Sequence, residues 1–319
     1  VKFIHDDPEF PELLRIVGAQ RAPALAAALV EKDYWVSHTL WSIQRSGLEC
    51  WFKGGTSLSK GFGLIHRFSE DLDLKLAAGR TSEFADVANW RSDSPRHTRL
   101  RREFFRNLSD RLDVPGAVVE LHPVDEHWRG AELRVLFPHK SGASLEAPMK
   151  PYVLIEAGNA RVVPHVARDC GSFVHSALTQ RGMERNYVDN LPRSVRCVHP
   201  LLTLIEKLDA VHRRFHRTEL QARGFVRHYE DAARVILAER GLPALPSDLS
   251  DLVQVMLSNR EIRELPRPDC DCVRPDFTER WREVGREFDA TSSMYFGPRL
   301  SLAEACQTIS SWLARTQRK

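Results

Sequence analysis

Two acids one residue apart, Asp71 and Asp73, sit in the run Arg67-Phe68-Ser69-Glu70-Asp71-Leu72-Asp73-Leu74. Polar and apolar residues alternate there, and a period of two is a strand signal. On a strand, Asp71 and Asp73 point to one side while Leu72 and Leu74 point to the other. Two like charges on one side repel, and a divalent cation relieves the repulsion. Oxygen-only ligands favour magnesium, with manganese as the close substitute. Ahead of the acids lies Lys53-Gly54-Gly55-Thr56-Ser57. A glycine pair lets backbone approach a ligand closely, because no Cβ intervenes. A helix starting just after it offers free N–H groups to an anion. The spacing of Leu58, Phe62 and Ile65 fits such a helix. A phosphate cradle beside a metal-binding acid pair is the chemistry of nucleotide phosphoryl transfer. The chain contains neither GxxxxGK[ST] nor GxGxxG, so neither a P-loop nor a dinucleotide turn supplies the cradle.

A third acid stands out in Pro151-Tyr152-Val153-Leu154-Ile155-Glu156-Ala157. Glu156 interrupts an otherwise apolar strand. Burying a carboxylate there is costly unless it is paired or bound to a metal.

Lys53 to Lys60 followed by Arg67 to Leu74 resembles the first motif of the polymerase β-type nucleotidyltransferase superfamily: a Gly-Gly/Ser pair, then two acids around an apolar residue. More narrowly, it resembles the AbiEii/AbiGii-type toxins of bacterial toxin–antitoxin systems, a group that includes the mycobacterial MenT toxins. The resemblance implies that Asp71 and Asp73 hold the metal and that Glu156, in Ile155-Glu156-Ala157, is the third carboxylate, which also helps deprotonate the attacking hydroxyl. Gly54, Gly55, Thr56 and Ser57 then cradle the β- and γ-phosphates of an NTP with backbone and hydroxyl donors. Ser69 is expected beside the same phosphates, where phosphorylation would add about two negative charges and shut the enzyme off. Lys207, in Glu206-Lys207-Leu208, resembles a family lysine that touches the triphosphate. Asp231, in Arg227-His228-Tyr229-Glu230-Asp231, resembles an aspartate expected to hold Lys207 or a neighbouring arginine. His228 stands where many members have Asp, which leaves the partner of Arg227 open. The acceptor implied is a tRNA 3′ end, and the partner implied is a cognate antitoxin.

The elements that must position these residues are legible from periodicity. Helices are expected over 8–46, with Pro8 in a first turn and Pro23 opening a second helix at Ala24. Lys32 and Asp33 read as a surface ion pair beside buried Trp35. A strand–cradle–helix–strand unit covers 50–76. Residues 99–113 form an amphipathic helix, with Arg99, Arg102 and Arg106 on a basic face suited to an RNA backbone. Alternation over 117–137 predicts paired strands, and 162–199 holds short strand-like runs at Phe173-Val174 and Val195–Val198. From Pro200 the chain reads as helices. The fold expected is α/β (α+β): a nucleotidyltransferase core with a mixed sheet, N-terminal helices and a helical C-terminal domain. The expected domains are 1–199 and 200–319, with the nucleotide in the groove between them.

Composition narrows the classes. Hydrophobic residues make up 42 % and charged residues 28 % of 319, an ordinary globular balance. A net charge of +3 confines any nucleic-acid footprint to local patches. Six cysteines are too sparse for a disulfide framework. No run is long enough to span a membrane, so a cytoplasmic monomer with no membrane contact is expected. His212 and His216 are four apart, the spacing of a metal clamp, but no third ligand is evident nearby. Cys270-Asp271-Cys272 lacks a second cysteine pair, so both read as ordinary thiols.

Overall fold

The structure, a computed structural model, describes residues 1–68, 71–77, 84, 86–87, 89–142, 149–158 and 160–317. Ser69 lies outside the described residues.

Strand β2 (Asp71–Ala77) carries the alternation read from the sequence: Leu72, Leu74 and Leu76 are buried, while Asp71, Asp73 and Lys75 are half-buried. Fully burying one leucine is worth about 1.5–3 kcal/mol. A slip of one residue would expose three leucines and drive both aspartates into the core. The leucine row therefore fixes the direction in which the acids face.

Six further strands accompany β2 among the described residues: β1 (Glu49–Lys53), β3 (Val118–Pro123), β4 (Gly130–Leu136), β5 (Val153–Gly158), β6 (His165–Arg168) and β7 (Val195–Val198). They form one mixed sheet in the order β3-β4-β5-β2-β1-β7-β6. β2 runs antiparallel to β1 and parallel to β5, and β4 runs antiparallel to both β3 and β5. With the sheet go α1 (Phe10–Ala19), α2 (Ala27–Arg45), α3 (Gly54–Lys60), α4 (Pro95–Arg111) and α5 (Phe173–Gln180). The helical remainder is α6 (Pro200–Phe215), α7 (Arg227–Leu237), α8 (Leu249–Ser258), α9 (Glu279–Ala290) and α10 (Leu302–Thr316). The chain forms two compact units. One is Val1–Phe62 with Phe68–Cys197; the other is Gly63–Arg67 with Val198–Lys319. No described helix is long and apolar enough to cross a membrane.

Several local expectations need correction. Phe173 and Val174 open helix α5 rather than forming a strand. Ser172 caps this helix: its hydroxyl accepts from the His175 N–H at 3.2 Å, and His175 Nδ1 accepts from the Ser172 N–H at 3.1 Å. This is a capping box built with His in place of the usual Glu or Gln. Helix α1 begins at Phe10, with Pro11 rather than Pro8 in its first turn, and α2 begins at Ala27 rather than Ala24. Strand β6, four residues long, left no readable period. Lys32 and Asp33 are not a surface pair. Lys32 is buried and donates to the Lys150 carbonyl at 2.8 Å, while Asp33 takes Lys60 at 2.5 Å and the Phe173 N–H at 2.7 Å. On α4, Arg101 is fully buried and donates to the carbonyls of Ser92 and His127, both at 2.8 Å. That arginine ties a loop down, whereas Arg99 is 64 % exposed.

Candidate active site

In the first unit, β1 runs directly into α3, and Lys53 at their junction pairs in register with Asp73. Gly54 has φ +73°, a region that favours glycine. A Cβ at this position would lie 1.8 Å from Asp73 Oδ2. The glycine is thus required twice, by its own backbone and by the carboxylate laid against it. Gly55, Thr56 and Ser57 follow in the first turn of α3 and are buried. The Thr56 hydroxyl donates to the Asp71 carbonyl at 2.6 Å, which fastens the start of β2 to the cradle. With that hydroxyl committed, Thr56 offers a ligand its backbone N–H. The Ser57 hydroxyl faces the Cys197 thiol.

Asp73 pairs in register with Glu156 of β5, and Asp71 with Leu154. Because the two strands are parallel neighbours, Asp71, Asp73 and Glu156 lie on one face. Glu156 reaches the surface, yet the sheet around it and the two aspartates still raise its affinity for a proton. Partial loss of solvent, then the charges of Asp73 and Asp71, push its carboxyl up to about 8. Three acids on one face of neighbouring strands suit a divalent cation, and every donor among them is oxygen.

Sequence reasoning missed two neighbours of this group. Lys150 Nζ stands 3.4 Å from Asp71 Oδ1; it lies outside the described helices and strands and has no periodic signal. Glu132 of β4 pairs in register with Glu156. Its context, Ala131-Glu132-Leu133, repeats the apolar–acid–apolar pattern of Ile155-Glu156-Ala157, and that signal was available. Lys53, Asp73, Glu132, Glu156, Val124 and Ala160 help line a cavity of about 300 Å³.

The second unit holds Lys207 on α6 and Asp231 on α7. Asp231 is fully buried and Lys207 is 7 % exposed. Lys207 Nζ donates to Asp231 Oδ2 at 2.8 Å. Arg67 grips the same carboxylate with two bonds, Nε to Oδ1 at 2.9 Å and Nη2 to Oδ2 at 2.7 Å. Burial alone would raise the Asp231 carboxyl, but Arg67 and Lys207 together hold it well below the usual carboxylate range. His228 Nδ1 lies 3.4 Å from Lys207 Nζ, and burial followed by the lysine's charge keeps the imidazole neutral. The expectation was that Asp231 holds Lys207 or an arginine; in the structure it holds both, and the arginine is Arg67. Arg67 stood in the run that drew attention to Asp71, but nothing in its spacing pointed to a residue 164 positions away.

Among solved structures the chain is similar to the nucleotidyltransferase toxin MenT4 from Mycobacterium tuberculosis H37Rv, at 18 % identity over 96 % of each chain with a TM-score of 0.38. It is also similar to JHP933 from Helicobacter pylori, at 14 % identity over 91 % of this chain and 95 % of that one, with a TM-score of 0.35. A comparison with curated proteins finds no match. The family model for the nucleotidyl transferase AbiEii toxin of type IV toxin–antitoxin systems matches residues 39–298, well over half of the chain. That span contains Gly54, Asp71, Asp73, Glu156, Lys207 and Asp231, and the chain belongs to this family of toxin nucleotidyltransferases.

Proposed function

We propose that the chain transfers a nucleotidyl group from an NTP to the 3′ acceptor end of a tRNA in the cytoplasm, releasing pyrophosphate, and that a cognate antitoxin restrains it. The observation that carries this reading is the register of Asp73 with Glu156 on parallel strands, with Asp71 on the same face and Gly54 against Asp73. A divalent cation, magnesium or manganese, fits the all-oxygen set of Asp71, Asp73 and Glu156, and when bound it supplies charge neutralisation and alignment of the triphosphate.

The chain's own residues do the rest. Gly54 and Gly55 let backbone N–H groups reach the β- and γ-phosphates. Thr56 and Ser57 offer their N–H groups from the same turn, with Thr56 also fixing Asp71 in place. The acceptor hydroxyl attacks the α-phosphorus in line, and Glu156 assists removal of its proton. Lys207 neutralises charge on the departing pyrophosphate as a point charge, and Asp231 orients that lysine. Most of the rate then comes from positioning and electrostatics. The exposed arginine face of α4 supports a polyanionic acceptor over a small molecule.

The test is incubation with α-labelled NTPs and a tRNA pool. Label on tRNA supports the proposal. Label on protein would reassign the acceptor, and tight NTP binding without any label would remove the catalytic reading.

A further inference from the structure

The sequence holds two half-motifs that the transfer chemistry does not use, His212 with His216 and Cys270 with Cys272. The fold brings them together within the second unit. One ligand atom each from His212, His216 and Cys270 lies within 4.8 Å of the other two. Bound to zinc at about 2.0–2.1 Å for nitrogen and 2.3 Å for sulfur, such atoms stand roughly 3.3–3.8 Å apart, so small side-chain rotations close the set. We propose that His212, His216 and Cys270 form a binding site for zinc, distinct from the carboxylate group of the first unit.

Four observations carry this. The first is orientation. His216 Nδ1 lies 2.8 Å from the His212 carbonyl, a bond it makes by donating its proton. Nε2 is then the nitrogen with a lone pair, an arrangement usual for metal-bound histidines. The second is independent anchoring of both halves. Trp281 is buried; its ring packs against Phe215 at the end of α6, with centroids 5.1 Å apart. Its indole N–H donates to the Asp271 carbonyl at 3.1 Å, and Tyr229 donates to the Cys272 carbonyl at 2.8 Å. One tryptophan therefore fixes the helix end that carries the histidines and the turn that carries the cysteine. The third is chemistry. Imidazole and thiolate select a borderline cation such as zinc over magnesium, which takes oxygen. The fourth is access. A cavity of about 330 Å³ opens beside the histidines, lined also by Arg213, Arg217, Arg263 and Glu264. A water entering there would complete a tetrahedron.

Cys272 sits 3.2 Å from Cys270, sulfur to sulfur, but is not among the three whose ligand atoms lie mutually close. The competing fate of Cys270 is thus a bond to Cys272. The zinc site would tie the C-terminal end of α6, the helix that carries Lys207, to the turn at 270–272.

The test is titration of the full-length, chelator-treated protein with cobalt(II) under reducing conditions. A thiolate-to-cobalt charge-transfer band cannot come from carboxylates, so it reports a cysteine ligand, and Cys270→Ser identifies which of the six free cysteines supplies it. The expected result is a band that saturates at one equivalent of thiolate-bound cobalt, disappears in Cys270→Ser, needs at least tenfold more cobalt in His216→Ala, and is displaced by zinc. Both variants replace residues at least partly exposed, and circular dichroism checks their fold. No band in the wild-type protein, a band unchanged in Cys270→Ser, or a Cys270–Cys272 disulfide in protein kept reduced would each overturn the proposal.

Discussion

Gly54 and Asp73 occupy space that admits no additional side-chain atom: a Cβ on Gly54 would lie 1.8 Å from Asp73 Oδ2. The carboxylate and the backbone turn define each other. Gly54→Ala is therefore expected to displace Asp73 as well as strain a backbone at φ +73°. The backbone penalty is about 1–2 kcal/mol. Thermal unfolding should register that modest cost, while transfer activity should fall far more steeply. Activity within threefold of wild type would show that Asp73 does not need its present position.

Thr56 separates backbone from hydroxyl roles. Its hydroxyl is bonded to the Asp71 carbonyl. Thr56→Val keeps the shape and loses that bond, with an expected stability cost of about 1 kcal/mol and a loss of activity. Thr56→Ser should restore both. Denaturant unfolding and a transfer assay on the two variants check this, and equal behaviour of Val and Ser would discount the bond.

Glu156 makes the metal-free protein sensitive to pH. Its carboxyl is raised from 4.5 to about 8 on folding. The folded state then holds one more proton than the unfolded state between those values. Stability from this group is fully present below pH 4.5 and is lost as pH rises through 8. In chelator, melting temperature should decline across this window, and Glu156→Gln should flatten the decline and raise the melting temperature above pH 8. A wild-type profile matching that of Glu156→Gln would mean that the three acids do not crowd one another in solution.

Asp231 and Lys207 should fail differently. Asp231→Asn removes the carboxylate shared by two buried cations, at an expected cost of about 3–5 kcal/mol. Lys207→Met leaves Asp231 still gripped by Arg67, so its stability cost should be near 1 kcal/mol while activity collapses. The stability that Asp231 contributes is present above pH 3.8 and is lost progressively as pH falls below it, because its folded carboxyl lies lower still. Chemical denaturation of both variants at neutral pH, set beside their transfer rates, distinguishes a positioning aspartate from a lysine that meets substrate.

What the sequence revealed follows from range. Asp71, Leu72, Asp73 and Leu74 are neighbours in the chain, so their period alone set the face of β2. Glu156 was readable because one acid in an apolar strand is expensive without a partner. Phe173-Val174 misled because two apolar residues carry no period, and the Ser172 cap uses a histidine that a search for Glu or Gln passes over. Arg67 was invisible as a partner of Asp231, since an ion pair closed across 164 positions leaves no local pattern. His212, His216 and Cys270 failed for the same reason, each half lacking a third ligand until the fold supplied it.

The most direct measurement of the central claim is nucleotidyl transfer by Asp71→Asn and Asp73→Asn, with α-labelled NTPs, a tRNA pool and divalent cation present. Both variants should melt close to wild type and label tRNA at least about 1,000-fold more slowly, since each removes charge from the centre that stabilises the transition state. Labelling by either variant at a rate near wild type would contradict the claim that these two carboxylates, with Glu156, run the chemistry.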